Sequence, residues 1–233
     1  MTQTLNFLSA GAAQALVKAL QPLLTQQTGA ASTGRFGAVG AMKEAFDAAE
    51  PCDLIILTEA MIGAMEAAGA VRPGSARPLG RVRTGVAVRR GDSRPEVGTP
   101  EALRAALLAA ESIYFPDPER ATAGIHFASV MRQLGVHDEL LPRFRTFPNG
   151  ATAMRELAAS TTPRPIGCTQ VTEILYTEGV DLIALLPSQF ELATVYTAAV
   201  TSRATQPELA AQLVDLLTGP ASADLRQRSG FEA

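Results

Sequence analysis

The sequence predicts an α/β fold arranged as two lobes. Short apolar runs alternate with helical stripes along the whole chain, which is the order of a layered α/β protein. Several of those runs are continuously apolar, as strands of a parallel sheet buried on both faces must be. The 233 residues exceed the roughly 100–150 of one compact core and suit two lobes with a cleft between them. No apolar stretch approaches the ~20 residues that span a bilayer, so a soluble chain without membrane insertion is expected. The net charge is −3 and the arginines are scattered, which excludes the electrostatic footprint of a nucleic-acid binder.

The elements follow in order. Leu5-Asn6-Phe7-Leu8 reads as a first strand that breaks at Ser9-Ala10-Gly11-Ala12. Leu16, Leu20, Leu23 and Leu24 then mark one helical face over residues 12–28, stopped at Thr28-Gly29, with Pro22 expected to bend or restart the helix because it lacks an N–H. Gly34-Arg35-Phe36-Gly37-Ala38-Val39-Gly40 reads as a glycine-rich turn feeding a helix with Met42, Ala45 and Phe46. Residues 53–57 are a buried parallel strand, followed by a helix with Met61, Ile62 and Met65. Residues 72–81 hold Pro, Gly and Arg without periodicity and read as a surface connection. Residues 82–88 alternate as a strand, and Thr99-Pro100-Glu101 opens a helix with a capping residue and a proline in the first turn. Strands at 112–115, 144–147 and 165–168 alternate with helices at 124–134 and 151–158. Two further extended segments, 180–186 and 192–200, precede a helical end at 207–217 and 220–228.

Recognised cofactor and catalytic signatures are missing. Gly34, Gly37 and Gly40 are spaced by three and do not form the dinucleotide fingerprint, and no P-loop or Ser-His-Asp set is present. Cys52 and Cys168 are far apart and read as plain buried thiols, so no metal and no cofactor is expected.

The order and sequences of the loops resemble the type II periplasmic-binding-protein superfamily over essentially the whole chain, within its molybdate-binding-protein-like and aconitate-isomerase-like branch. Ser9-Ala10-Gly11-Ala12 resembles the first anion loop, Phe36-Gly37-Ala38-Val39-Gly40 the second, and Cys52-Asp53-Leu54-Ile55-Ile56-Leu57 the strand after it. The closing segment, with Gly219-Pro220 and Ser229-Gly230-Phe231, resembles the end of many solute-binding proteins. The resemblance implies two hinge crossings, lobe one as residues 1–82 plus 196–233, lobe two as 83–195, and a ligand clamped in the cleft between them by hinge closure. Molybdate binders of the family place a serine hydroxyl in the second loop, where this chain has Ala38-Val39. That departure points away from molybdate and toward a di- or tricarboxylate. The segments Ala123-Gly124-Ile125-His126-Phe127 and 166–174 are similar to carboxylate-handling members.

Within that frame, Ser9, Ala10 and Gly11 offer a hydroxyl and backbone donors at the positive end of a helix, and Ser9 also suits a plain helix cap. Gly37, Val39 and Gly40 would line the same pocket, or form an ordinary turn. Arg35 is a candidate bidentate carboxylate partner, or a solvated arginine. From lobe two, Thr122, Gly124 and Asn149 stand at helix starts, where capping is the alternative role. Gln170 and Glu173 follow the 165–168 strand and could face the cleft, and Tyr196 sits at the second crossing with hinge packing as its alternative. His126 is the first choice of general base if the protein is an enzyme, with Glu173 sharing in proton transfer. The plainer readings are a helix histidine without a chemical task and a solvated glutamate. His137, beyond the Gly135 stop, is expected to be exposed.

Two functions stay open. One is a monomeric ABC-transporter substrate-binding protein for a small anion, partnered by a permease if exported. The other is a cytosolic isomerase of an unsaturated carboxylate using the same cleft. Nothing resembling a secretion signal precedes the first strand. The chain as written is therefore expected to be cytoplasmic, and periplasmic if a leader has been removed ahead of Met1.

Overall fold

The fold is described by a computed structural model covering residues 3–233; Met1 and Thr2, and with them the reading placed on Met1, lie outside the described residues. The chain is a mixed α/β protein, as the alternating pattern predicts. It forms two compact units, Met1–Val82 with Thr194–Ala233, and Arg83–Ala193.

Along the chain the first unit contains β1 (Thr4–Ala10), α1 (Gln14–Thr28), β2 (Ala31–Gly37), α2 (Val39–Asp47), β3 (Leu54–Thr58) and α3 (Glu59–Ala67). Strand β4 (Arg77–Arg89) carries the chain into the second unit. There follow α4 (Pro100–Ala109), β5 (Ser112–Pro116), α5 (Thr122–Gln133), α6 (His137–Leu140), β6 (Phe144–Phe147), α7 (Gly150–Ala159), β7 (Pro165–Gln170), α8 (Val171–Tyr176) and β8 (Val180–Leu185). Strand β9 (Ala193–Val200) returns the chain to the first unit, which closes with α9 (Pro207–Thr218) and α10 (Ala223–Arg228).

In the first unit β1 lies between β2 and β3, parallel to both, and β3 is completed by antiparallel β9. Leu8, Met42, Phe46, Ile55, Leu57, Ile62 and Met65 form its core beneath α2 and α3. In the second unit β5 is parallel to β6 and β7, while β4 pairs antiparallel with β7 and β8. Phe115 is the centre of the core here, with the rings of Phe127 and Phe144 edge-on at 5.6 and 5.0 Å. Phe115 and Phe127 are fully buried, each such side chain contributing about 1.5–3 kcal/mol, while Phe144 is partly buried against them. Among the described residues no helix is long and apolar enough to cross a membrane.

Several local expectations are corrected. The segment 34–37 is not a turn: Ala31–Gly37 is a strand in residue-by-residue register with β1, Phe7 opposite Gly34. A Cβ at Gly34 would collide with the Phe7 carbonyl and ring, so glycine here serves close packing in a strand. Pro22 lies inside an unbroken α1, because the packing of Leu16, Val17, Leu20 and Leu24 outweighs one lost hydrogen bond. Helix α1 itself begins at Gln14 after a 3-10 turn at Gly11–Ala13, and the last helix splits into a 3-10 turn, Pro220–Ser222, and α10. The connection at 72–81 is already strand from Arg77. His137 is not exposed; its ring packs edge-on to Phe144 at 5.4 Å and its Nδ1 lies 2.9 Å from the Asp138 carboxylate.

One buried carboxylate ties the first unit across its two chain segments. Asp53 is 1% exposed. Its Oδ2 accepts from the Asn6 N–H at 2.7 Å, and its Oδ1 accepts from the N–H of Thr205 and Gln206 at 2.6 and 2.9 Å and from the Thr205 hydroxyl at 3.0 Å. Burial works against the charge, but this ring of donors prevails and holds the carboxyl below its ordinary range. Strand β1, strand β3 and the entry to α9 are therefore fixed by one side chain.

Asp53→Ala is expected to lower the unfolding free energy by about 3 kcal/mol or more, read from the urea midpoint at unchanged slope. Because the native carboxyl is depressed, its stabilisation is complete above the unfolded value of about 3.9 and disappears as the pH falls through the native one. The stability gap between native protein and Asp53→Asn should therefore shrink only in acid.

Candidate functional site

In the first unit the C-terminal ends of two adjacent parallel strands lead directly into helices. Ala10 and Gly37 are opposite one another in the β1/β2 register. The 3-10 turn after β1 has Ala10 as its N-cap, α1 has Ala13 and α2 has Ala38, and none of the three receives a side-chain cap. By contrast α3 is capped by Thr58 and α4 by Thr99. Alanine cannot satisfy the donors of a helix start, so the two starts that the strand register places side by side present backbone N–H groups and the positive ends of helix dipoles. Such a pair is suited to an anion.

The side chains around it are placed as follows. Ser9 is fully buried and its hydroxyl donates to the Ala10 carbonyl at 3.0 Å, so it does not cap the helix. Gly11 and Gly37 are buried and Val39 and Gly40 half-buried. Arg35 is paired with Glu50 at 2.6 Å, its side chain 58% exposed. Tyr196 is buried in β9 opposite Thr58.

In the second unit the start of α7 is closed. The Asn149 side chain accepts from the Thr152 N–H at 2.8 Å. The Glu173 carboxylate accepts from the Thr169 hydroxyl at 2.6 Å, and the backbone N–H groups of Gly150, Ala151 and Gln170 act on it in favour of the charged form. The first internal bond runs from the Ala153 N–H to the Asn149 carbonyl at 3.0 Å, so the Asn149 side chain and the Glu173 carboxylate both sit at the start of this helix. A Cβ at Gly150 would collide with the Glu173 carboxylate and the Thr169 hydroxyl, which would have to shift to admit it. Glu173 is buried, which corrects the solvated reading. Burial pushes its carboxyl above the ordinary range, and its four donors oppose that shift without reversing it.

Beside it lies a set of polar atoms without partners. Both Nε2 and Oε1 of Gln170, and Oγ1 of Thr172 and of Thr84, are buried and make no hydrogen bond. Thr84 and Gln170 face each other across β4 and β7. Buried polar groups are nearly always satisfied, by protein, water or ligand; the hydroxyls of Ser112, Thr194 and Thr197 and one Asp92 oxygen are likewise without a partner, and at Gln170 both ends of one amide are. Sequence reasoning reached Gln170 and missed Thr84 and Thr172, because a threonine in a strand reads only as β propensity.

Thr122 is the first residue of α5, whose N-cap is Ala121 without side-chain capping. A Cβ at Gly124 would collide with the carbonyls of Pro116 and Asp117, so this glycine lets α5 approach β5. The Nε2 of His126 lies 2.7 Å from the Phe190 carbonyl. A carbonyl only accepts, so Nε2 carries a proton and Nδ1 is the nitrogen left to act as a base. Both thiols are buried; burial pushes Cys52 up to about 12 and Cys168 well above its ordinary value. Neither is a nucleophile at neutral pH.

A family model described as bacterial extracellular solute-binding protein matches residues 5–232. Aconitate isomerase from a Pseudomonas species is 24% identical over 98% of this chain and 87% of its own length. Among solved structures, the periplasmic molybdate-binding protein of Azotobacter vinelandii superposes with a TM-score of 0.80 at 17% identity, covering 98% of this chain and 99% of its own. The sulfate-binding protein SubI of Mycobacterium tuberculosis gives 0.73 at 15% identity, covering 98% of this chain and 86% of its own. At these identities the two structures speak for the fold alone.

Gly150→Ala is expected to cost about 1–3 kcal/mol by overpacking, measured by urea unfolding. Because the native Glu173 carboxyl is raised, the folded state binds the extra proton, and its stabilisation is fullest below the unfolded value of about 4.3. It is lost as the pH rises through the native value. Glu173→Gln should flatten that descending part of the pH–stability curve.

Proposed function

The chain belongs to the bacterial extracellular solute-binding protein family, and from that premise we propose that it binds a small carboxylate, a di- or tricarboxylate in preference to molybdate. The observation that carries this reading is the pair of uncapped helix starts at Ala10 and Ala38 in register across β1 and β2. Backbone donors suit a carboxylate oxygen, and the absence of a hydroxyl at Ala38-Val39 leaves fewer directed donors for a tetrahedral oxyanion. The unpartnered, buried Gln170 amide is a candidate polar contact within its own unit. On this reading the chain is the periplasmic receptor of an ABC permease.

A second reading has its own support. The aconitate isomerase relative extends over nearly the whole chain, and His126 is oriented with Nδ1 available to take a proton. Isomerisation of an unsaturated tricarboxylate needs a proton moved along a conjugated system while the carboxylates are held.

A thermal-shift series with molybdate, sulfate, citrate, cis-aconitate and trans-aconitate tests the first reading. Stabilisation by the carboxylates and not by the tetraoxyanions is expected, and the reverse order would overturn the ligand class. Ala38→Asp should leave stability unchanged or raise it by about 1 kcal/mol, because aspartate is a good N-cap, while abolishing binding by placing a negative charge at the anion position. Retained affinity in that variant would remove the first unit from the site. Incubation with cis-aconitate followed by NMR tests the second reading. Conversion that falls roughly 100-fold or more in His126→Gln would support it, and no conversion by the native protein would end it.

A further inference from the structure

Three features of the second unit bear on ligand choice once the anion-binding reading is granted, and the inference rests on it. The positive end of α7, a ten-residue helix, is already filled by a carboxylate of the protein itself. That carboxylate accepts from the hydroxyl of Thr169, the residue next to Gln170 in β7, so the charge sits close to the residue whose side-chain amide is unpartnered. The amide is 2% exposed, and the other unpartnered atoms of the corner are the hydroxyls of Thr84 and Thr172, 1% exposed each.

We infer that Glu173 is a resident anion of the α7 start, and that with Gln170, Thr84 and Thr172 it makes this corner select an uncharged, proton-bearing group of the ligand, a hydroxyl or a protonated carboxyl, over a second anionic one. The chemistry follows from the amide. Whichever way it is turned, a primary amide presents one acceptor oxygen beside its two N–H donors, so a group bearing only lone pairs leaves that oxygen unsatisfied. A hydroxyl both donates and accepts, and matches the amide and either threonine. A further negative charge would also meet the Glu173 carboxylate in a water-poor setting, where like charges repel strongly.

Calorimetric titration of the native protein with two matched pairs decides this, malate against succinate and citrate against tricarballylate, each pair differing by one hydroxyl, with sulfate as an oxyanion without a proton. The hydroxyl-bearing member of at least one pair should bind about tenfold or more tighter, and Gln170→Leu should erase that preference. Glu173→Gln should raise sulfate affinity relative to the hydroxy acid by about tenfold. Equal binding within both pairs by the native protein overturns the inference and leaves the carboxylate reading standing. An unchanged sulfate ratio in a folded Glu173→Gln variant overturns the role given to Glu173. If that variant does not fold, the paired comparison on native protein still decides the hydroxyl preference. Binding of none of the five ligands by the native protein would overturn both this inference and the reading beneath it.

Discussion

A buried carboxylate set against the start of a helix is the recurring constraint of this protein. Asp53 gathers β1, β3 and the entry to α9 in the first unit, and Glu173 gathers β7, α8 and the start of α7 in the second. In both, backbone N–H groups are the main donors, so the charge organises main chain, and main chain sets where the strand ends and helix starts lie. Burying such a charge is costly unless nearly every lone pair is matched. That requirement makes the geometry rigid. The two differ in outcome: the donors around Asp53 overcome burial and depress its pKa, while those around Glu173 do not.

Side-chain caps are unevenly distributed, and α5, α8, α9 and α10 lack them as do the starts after β1 and β2. Helices α3, α4 and α7 carry side-chain caps from Thr58, Thr99 and Asn149, each worth about 1 kcal/mol. The starts after β1 and β2 have alanine instead. What sets the two starts apart is that they lie in register; on the proposed reading their lack of a cap leaves the backbone donors to a ligand, since a cap would occupy them. The unpartnered amide of Gln170 represents the same trade in the second unit.

Much of the fold was legible because it depends on local pattern. The apolar run at Leu54–Thr58, the stripe of Leu16, Leu20 and Leu24, and the Thr99-Pro100 helix start each state their element within a few residues. The misreadings share a cause as well. Gly34 and Gly37 read as turn residues, yet Gly34 lies in a strand because the Phe7 ring occupies the place of its side chain. Pro22 read as a break, yet packing of the buried face keeps α1 continuous. Glu173 read as solvated because a glutamate in a short helix usually is. Nothing near it in sequence reveals that Gly150 leaves room for its carboxylate.

By itself the sequence determined the alternation of strands and helices, the parallel character of the buried strands, and the loops where small residues end a strand. These follow from periodicity and from the backbone freedom of Gly and Ala, which are properties of neighbours in the chain. Only the tertiary structure decided which helix starts remain open and which are filled, that Asp53 holds residues more than 150 positions away, and that Gln170, Thr84 and Thr172 share a buried corner without partners. The reason is physical. Whether a polar group is satisfied depends on what folding brings to within about 3 Å of it, and the sequence names the donors and acceptors without saying which will meet.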